Sequence, residues 1–185
     1  MKKIVKSSLI LLVLCLFLVG CQKKDKDVDV VNVSNTKGKV AEKGNQNVNV
    51  KGSGTLKCKR EGNAIDNLET DLSYTVTYQD GVMISIHSIE KVSGDSESAL
   101  KQYYDAYNKI KENYKDIKYY DMTVTKDKNS VTNDTTINYD KVDVSKIIKI
   151  EGREGNIFDE DNKPILKKWI TMGKKVGLTC EGVIE

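Results

Sequence analysis

The chain has 185 residues, with 30 basic and 27 acidic side chains, a formal charge of +3, four cysteines, one histidine and one proline. A charge this small excludes the basic footprint of a nucleic-acid binder, and a single imidazole excludes an all-histidine zinc site. The length suits one modest domain with additional segments.

The chain opens on an export segment. Lys2, Lys3 and Lys6 form a basic n-region, and Leu9 to Val19 is an unbroken apolar run. A spanning helix needs about 20 such residues, so residues 1–20 read as a signal peptide and not as an anchor. The run ends in Leu18-Val19-Gly20-Cys21. This ending resembles the lipobox of bacterial lipoproteins. The resemblance implies transfer of diacylglycerol to the Cys21 thiol, cleavage before Cys21, and attachment to the extracytoplasmic face of the cell membrane. Two acyl chains give stable anchoring. A plain secretory signal and an uncleaved short anchor are the alternatives. Removing residues 1–20 takes away Lys2, Lys3 and Lys6 and leaves 27 basic groups against 27 acidic ones. The mature chain has no net attraction to an anionic surface, so anchoring rests on Cys21.

Residues 22–51 contain no aromatic side chain and are rich in Lys, Asp, Asn and Gly. Together with Cys21 they read as a lipidated flexible tether over 21–51, reaching roughly 30 Å. Valine alternation in Asp27-Val28-Asp29-Val30 and Asn47-Val48-Asn49-Val50 offers an optional edge strand. A single extracytoplasmic domain is expected over 52–185.

Within it, Leu72, Tyr74, Val76 and Tyr78 alternate with polar residues, the pattern of a half-buried strand. Val82, Ile84 and Ile86 alternate next. A two-residue Asp80-Gly81 loop would pair Tyr78 with Met83 and set the two apolar rows on opposite faces. A three-residue Gln79-Asp80-Gly81 loop pairs Tyr78 with Val82 and keeps the rows together, so it is the expected turn, with Gly81 left-handed. Ser93-Gly94-Asp95-Ser96 supplies caps for a helix over 96–115, whose face is Leu100, Tyr103, Tyr107, Ile110 and Tyr114. Tyr120, Met122 and Val124 alternate on one strand, and Val131, Thr135, Ile137 and Tyr139 on another. A Lys128-Asn129 turn sets Tyr120 opposite Ile137. Val144 to Ile148 reads as a short helical turn. Pro164 suits the first turn of a second helix capped by Asp161 or Asn162, with Ile165, Leu166, Trp169 and Met172 on its face and Gly173 as its stop. A last strand near Val176 to Gly182 carries Cys180. The class is α+β, a mostly antiparallel sheet packed by one long and one short helix in the order β-β-β-α-β-β-α-β.

Cys15 departs with the signal and Cys21 takes lipid. Cys58 and Cys180 remain near the two ends of the folded region. An exported chain meets an oxidising environment, so a Cys58–Cys180 disulfide joining the first and last strands is expected. The alternatives are a redox pair, which usually takes the form C-x-x-C, a metal site, and two free thiols.

These parts resemble the YehR-like lipoproteins, a family of small bacterial envelope proteins of uncharacterised function, and within it the low-GC Gram-positive members. The resemblance rests on the lipobox ending at Cys21, Leu56-Lys57-Cys58, Ile137-Asn138-Tyr139-Asp140-Lys141-Val142-Asp143 and Leu178-Thr179-Cys180. It implies an α+β fold with an antiparallel sheet and carries over no catalytic residue. The long tether and the segment Gly152 to Asn162 depart from the compact members.

His87 falls on the solvent-facing side of its strand, and nothing in sequence marks a partnered nucleophile. Asp159-Glu160-Asp161 lacks the spacing of a calcium loop, since Pro164 stands at its sixth position. Gly152-Arg153-Glu154-Gly155 lacks the lysine of a phosphate-binding loop. Six of the nine tyrosines lie between 103 and 120. Most share the helix face with Leu100 and Ile110, which leaves Tyr104 and Tyr119 as the candidate ligand-facing aromatics. The expectation is a non-enzymatic, membrane-anchored lipoprotein without metal, cofactor or nucleic acid, whose domain meets an envelope protein or wall component. A structural or stress-related surface protein without a small ligand, and a carboxylate-dependent hydrolase, are the alternatives.

Overall fold

The computed structural model describes residues 52–65, 68–152 and 156–184. The expected signal segment, Cys21 and the expected tether lie outside them. Six strands form one sheet: β1 (Ser53–Ile65), β2 (Leu68–Gln79), β3 (Val82–Gly94), β4 (Tyr120–Lys126), β5 (Ser130–Asn138) and β6 (Thr179–Ile184). Their order is β4-β5-β3-β2-β1-β6, and every neighbouring pair is antiparallel. Three helices accompany the sheet, α1 (Glu97–Tyr114), α2 (Val144–Glu151) and α3 (Leu166–Lys175). The α+β class stands, with one helix more than the expected long and short pair. The difference is the run Val144 to Ile148, which extends to a full helix. Its start is fixed by the Asp143 carboxylate, which accepts from the Ser145 N–H at 3.2 Å.

The strands alternate because one face must leave water. Leu56, Cys58, Leu72, Tyr74, Val76 and Tyr78 are buried on β1 and β2, and Val131, Thr135 and Ile137 on β5. α1 covers this face with Leu100, Tyr103, Tyr107, Ile110 and Tyr114, as the helical spacing required. Ser96 is its N-cap, accepting from Ala99. α3 adds Leu166, Trp169 and Ile170. Trp169 meets the Tyr74 ring edge-on at 5.5 Å. Tyr120 pairs with Ile137, the register set by the turn before Ser130.

The β2–β3 turn differs from expectation. It is the two-residue loop, with Gln79 opposite Val82 and Tyr78 opposite Met83. Asp80 and Gly81 have φ of 49° and 79°, the pair of left-handed residues that matches the twist of a tight hairpin. The phase conflict that argued against this loop is resolved by a bulge. Thr77 pairs with Ser85 while Tyr78 pairs with Met83, so Ile84 is an extra residue on β3. Met83 and Ile86 are buried, while Val82 and Ile84 are only half-buried.

The start of α3 also differs. Its N-cap is Ile165 with no side-chain cap, so neither Asp161 nor Asn162 caps it. The hairpin tip takes that role: the Gly81 carbonyl accepts from Leu166 N–H at 2.9 Å, and the Met83 N–H donates to the Pro164 carbonyl at 2.9 Å. Pro164 therefore straps the tip instead of opening the helix. Met172 is half-buried and Ile170 takes its place in the core. Gly173 does not stop the helix. A Cβ there would stand 2.9 Å from Leu178 Cδ1, so it serves close packing. The stop is Gly177, at φ 83°. Its N–H donates to Lys174 and that of Leu178 to Gly173, the paired bonds of a Schellman end.

Cys58 and Cys180 stand directly opposite on β1 and β6 and are joined by a disulfide across 122 positions. It ties the last strand, at one edge of the sheet, to the first. Closing a loop of this length stabilises by about 4 to 5 kcal/mol in the chain-entropy account. Reduction of the purified protein should therefore expose two thiols and lower its thermal midpoint; an unchanged midpoint after full reduction would count against this role.

Candidate functional site

The buried face of the sheet is not wholly apolar. Arg60, Leu72, Glu90 and Asn133 lie in one transverse row across β1, β2, β3 and β5. Cys58, Tyr74, Ser88 and Thr135 form the next. Glu90 is 4% exposed. The Tyr74 hydroxyl donates to its Oε1 at 2.9 Å, and Asn133 Nδ2 approaches its Oε2 at 3.5 Å. Thr135 in turn donates to Asn133 Oδ1 at 2.9 Å, which fixes the amide. Burial pushes the Glu90 carboxyl above its ordinary 4.5, while bonds from Tyr74, Asn133 and Tyr107 and the charge of Arg60 pull it partly back. The row thus holds a proton-binding group deep beneath α1.

A second acid sits at the end of α2. Burial raises the Glu151 carboxyl, against a bond from Tyr114 that lowers it. That bond runs from the Tyr114 hydroxyl to Oε1 at 2.9 Å. The Tyr114 ring stacks on Tyr120, with centroids 4.3 Å apart and planes 13° apart. Burial pushes the phenols of Tyr114, Tyr120 and Tyr139 upward, and the Glu151 charge adds to the shift. The Tyr120 hydroxyl is buried without a hydrogen-bond partner.

One residue before Tyr120 the chain turns outward. Tyr119 is the one exposed large hydrophobic side chain among the described residues, at 50%. Its φ is 66°, a left-handed conformation that costs a residue with a Cβ roughly 1–2 kcal/mol. The turn is held from both sides. The Tyr120 N–H donates to Ile117 at 3.3 Å, and the Tyr119 carbonyl accepts from Asn138 at 3.0 Å. Lys141 Nζ lies 5.7 Å from the ring centroid, within cation–π range. This gives an exposed aromatic ring, backed by a cation, on a pinned backbone.

The other expected residues fall elsewhere. Tyr104 is half-buried on α1 and packs against the core, so the structure places it and Tyr119 on different elements. His87 faces solvent as expected, with its Nε2 2.9 Å from Asp134 Oδ1 on the neighbouring strand. Asp159 closes a turn by accepting from the Lys163 N–H at 2.7 Å. Among the described residues no three His, Cys, Asp or Glu side chains gather as metal ligands. Sequence reasoning missed Glu90, Asn133 and Arg60. The signal was available: alternation from Ile86 points Ser88 and Glu90 inward.

No protein-family model matches the chain, and no curated protein matches it in sequence. Two solved structures resemble it at a distance. The E. coli YehR protein aligns at 17% identity and a TM-score of 0.48, over 73% of this chain and 94% of that one. A protein from Streptococcus pneumoniae TIGR4 aligns at 16% identity and a TM-score of 0.42, over 87% of this chain and 99% of that one. Neither likeness passes on a residue role.

Two outcomes follow from the buried polar groups. Tyr120→Phe removes a hydroxyl that is desolvated without a partner and should raise stability by about 1 kcal/mol, measured by urea denaturation; a loss of stability would show that the hydroxyl is satisfied. Glu90 and Glu151 are raised in the fold, so the unfolded chain ionises more readily. Their contribution is fullest below about 4.5 and falls as pH rises toward the folded values. Glu90→Gln should flatten that decline in thermal midpoint above pH 4.5, and a profile as steep as the parent's would remove Glu90 as its cause.

Proposed function

We propose that this protein is a lipid-anchored extracytoplasmic lipoprotein of YehR-like type, whose domain binds another component of the cell envelope without catalysing a reaction. The diacylglycerol on Cys21 holds it to the membrane, the 21–51 tether gives it reach, and the partner is an envelope protein or wall component. No nucleic acid or cofactor enters this reading. Among the described residues no helix is long and apolar enough to cross a membrane.

The observation that carries the binding reading is Tyr119. Folding hides the other large apolar side chains of the described core, yet keeps this ring in solvent at a costly φ. Backbone strain retained by surrounding bonds is characteristic of sites under functional constraint. A tyrosine ring offers apolar contact area and a hydroxyl with little conformational entropy to lose. Lys141 behind it adds positive charge to the same corner. Glu90 is enclosed in the core and Glu151 is bonded to Tyr114, an arrangement that suits support of the fold better than attack on a substrate.

The test is crosslinking in cells. A photoreactive residue at position 119 should give adducts, and one at Thr136 on the open face of the sheet should not. Cys21→Ser should abolish fatty-acid labelling and, by releasing the domain from the membrane, the adducts as well. Continued labelling would overturn the anchor, and equal adducts from both positions would overturn the Tyr119 surface.

A further inference from the structure

Arg60 occupies an unusual place. It follows Leu56 and Cys58 on the inward phase of β1, and the register breaks immediately after it, between Arg60 and Asn63. Its Nη1 donates to the Val176 carbonyl at 3.1 Å, on the turn that joins α3 to β6. Its Nε and Nη2 are buried with no hydrogen-bond partner. Unmet N–H groups on an enclosed guanidinium are costly, and they leave Arg60 with donors to spare for a second acceptor.

The acceptor available for that state is Glu90. The two residues share a transverse row, with Leu72 between them. Strands stand about 4.8 Å apart, so their backbones are separated by roughly 10 Å, a gap within the combined reach of the two long side chains across Leu72. The groups around Glu90 come from every element packed on it: Tyr74 from β2, Asn133 from β5, Tyr107 from α1 and the Arg60 charge from β1. Of these only Arg60 carries a positive charge. A protonated Glu90 is served by the neutral donors and acceptors beside it. An ionised Glu90 in the same place requires a cation.

We propose that Arg60 and Glu90 form a proton-controlled latch on the α3–β6 turn. With Glu90 protonated, Arg60 holds the Val176 carbonyl and secures the turn. When Glu90 releases its proton to solvent, the guanidinium swings its free N–H groups onto the carboxylate and lets Val176 go. The freed segment, Val176 to Leu178, leads directly into β6, the edge strand that carries Cys180. The disulfide keeps β6 attached to β1 while the turn loosens, so the change is a local opening at one sheet edge and not an unfolding. This device is independent of Tyr119 and of the lipid anchor.

The test is an NMR pH titration of the mature chain carrying Cys21→Ser. The Glu90 carboxyl carbon, Arg60 Nε and the Val176 carbonyl carbon should move with one shared midpoint above 4.5, the ordinary value. His87 lies on the other face of the sheet, away from this row. In Glu90→Gln the Arg60 and Val176 shifts should be lost. In Arg60→Lys, Glu90 should still titrate while Val176 falls silent. Titration of Glu90 without Val176, or a Val176 shift that survives Glu90→Gln, would overturn the latch. Should Glu90→Gln fail to fold, the parent chain still decides, because separate midpoints for Glu90 and Val176 refute it.

Discussion

One extra residue in β3 sets the phase on which the rest of this domain depends. The Asp80-Gly81 turn commits Tyr78 to face Met83. Continued without interruption, strict alternation from Met83 would carry Ser85, His87, Ile89 and Lys91 into the core. The bulge at Ile84 shifts the strand by one residue, and Ile86, Ser88, Glu90 and Val92 point inward instead. The carbonyl of Ile84 accepts from the Tyr139 N–H at 2.7 Å, so the bulge is stitched to the chain leaving β5. A hydrophobic strand thus reaches the correct face by way of a local irregularity, as bulges commonly allow.

That phase also brings a carboxyl under the main helix. Burying a charge alone is expensive, and the sequence around Glu90 answers with hydroxyls and an amide at matching positions. Tyr74 comes from β2, Asn133 from β5 with Thr135 behind it, and Tyr107 from α1. The tyrosines of α1 therefore serve twice, as core volume and as polar partners. A leucine face on α1 would fill the same space but would leave Glu90 less well served.

The two edges of the sheet are treated differently. β6 is tied covalently to β1 through Cys58 and Cys180 and is approached by a helix end that closes on Gly177. β4 begins beside Tyr119, where a strained turn holds a ring in solvent with Lys141 behind it. The first edge is held covalently, and the second begins beside an exposed ring.

Much was legible in the residues alone. Period-two alternation located β2, β3, β4 and β5, and the spacing of Leu100, Tyr103, Tyr107, Ile110 and Tyr114 located α1 to within a residue. Periodicity is legible because it is local. The pairing of Cys58 with Cys180 was legible for another reason, since no other cysteine lies within 52–185. The errors arise where a neighbouring contact overrode a good local signal. Asp161 and Asn162 are good capping residues, but the Gly81 carbonyl, far along the chain, receives the Leu166 N–H, and Gly173 is packed against Leu178 while Gly177 ends the helix. The three-residue turn was preferred because a bulge stabilised by Tyr139, more than fifty positions away, leaves no trace in the local pattern. The sequence by itself determined the elements and their amphipathic faces. Tertiary contacts decided how those faces were phased, which polar groups met inside, and where a single tyrosine was held out to solvent, because each of these is settled by atoms distant along the chain.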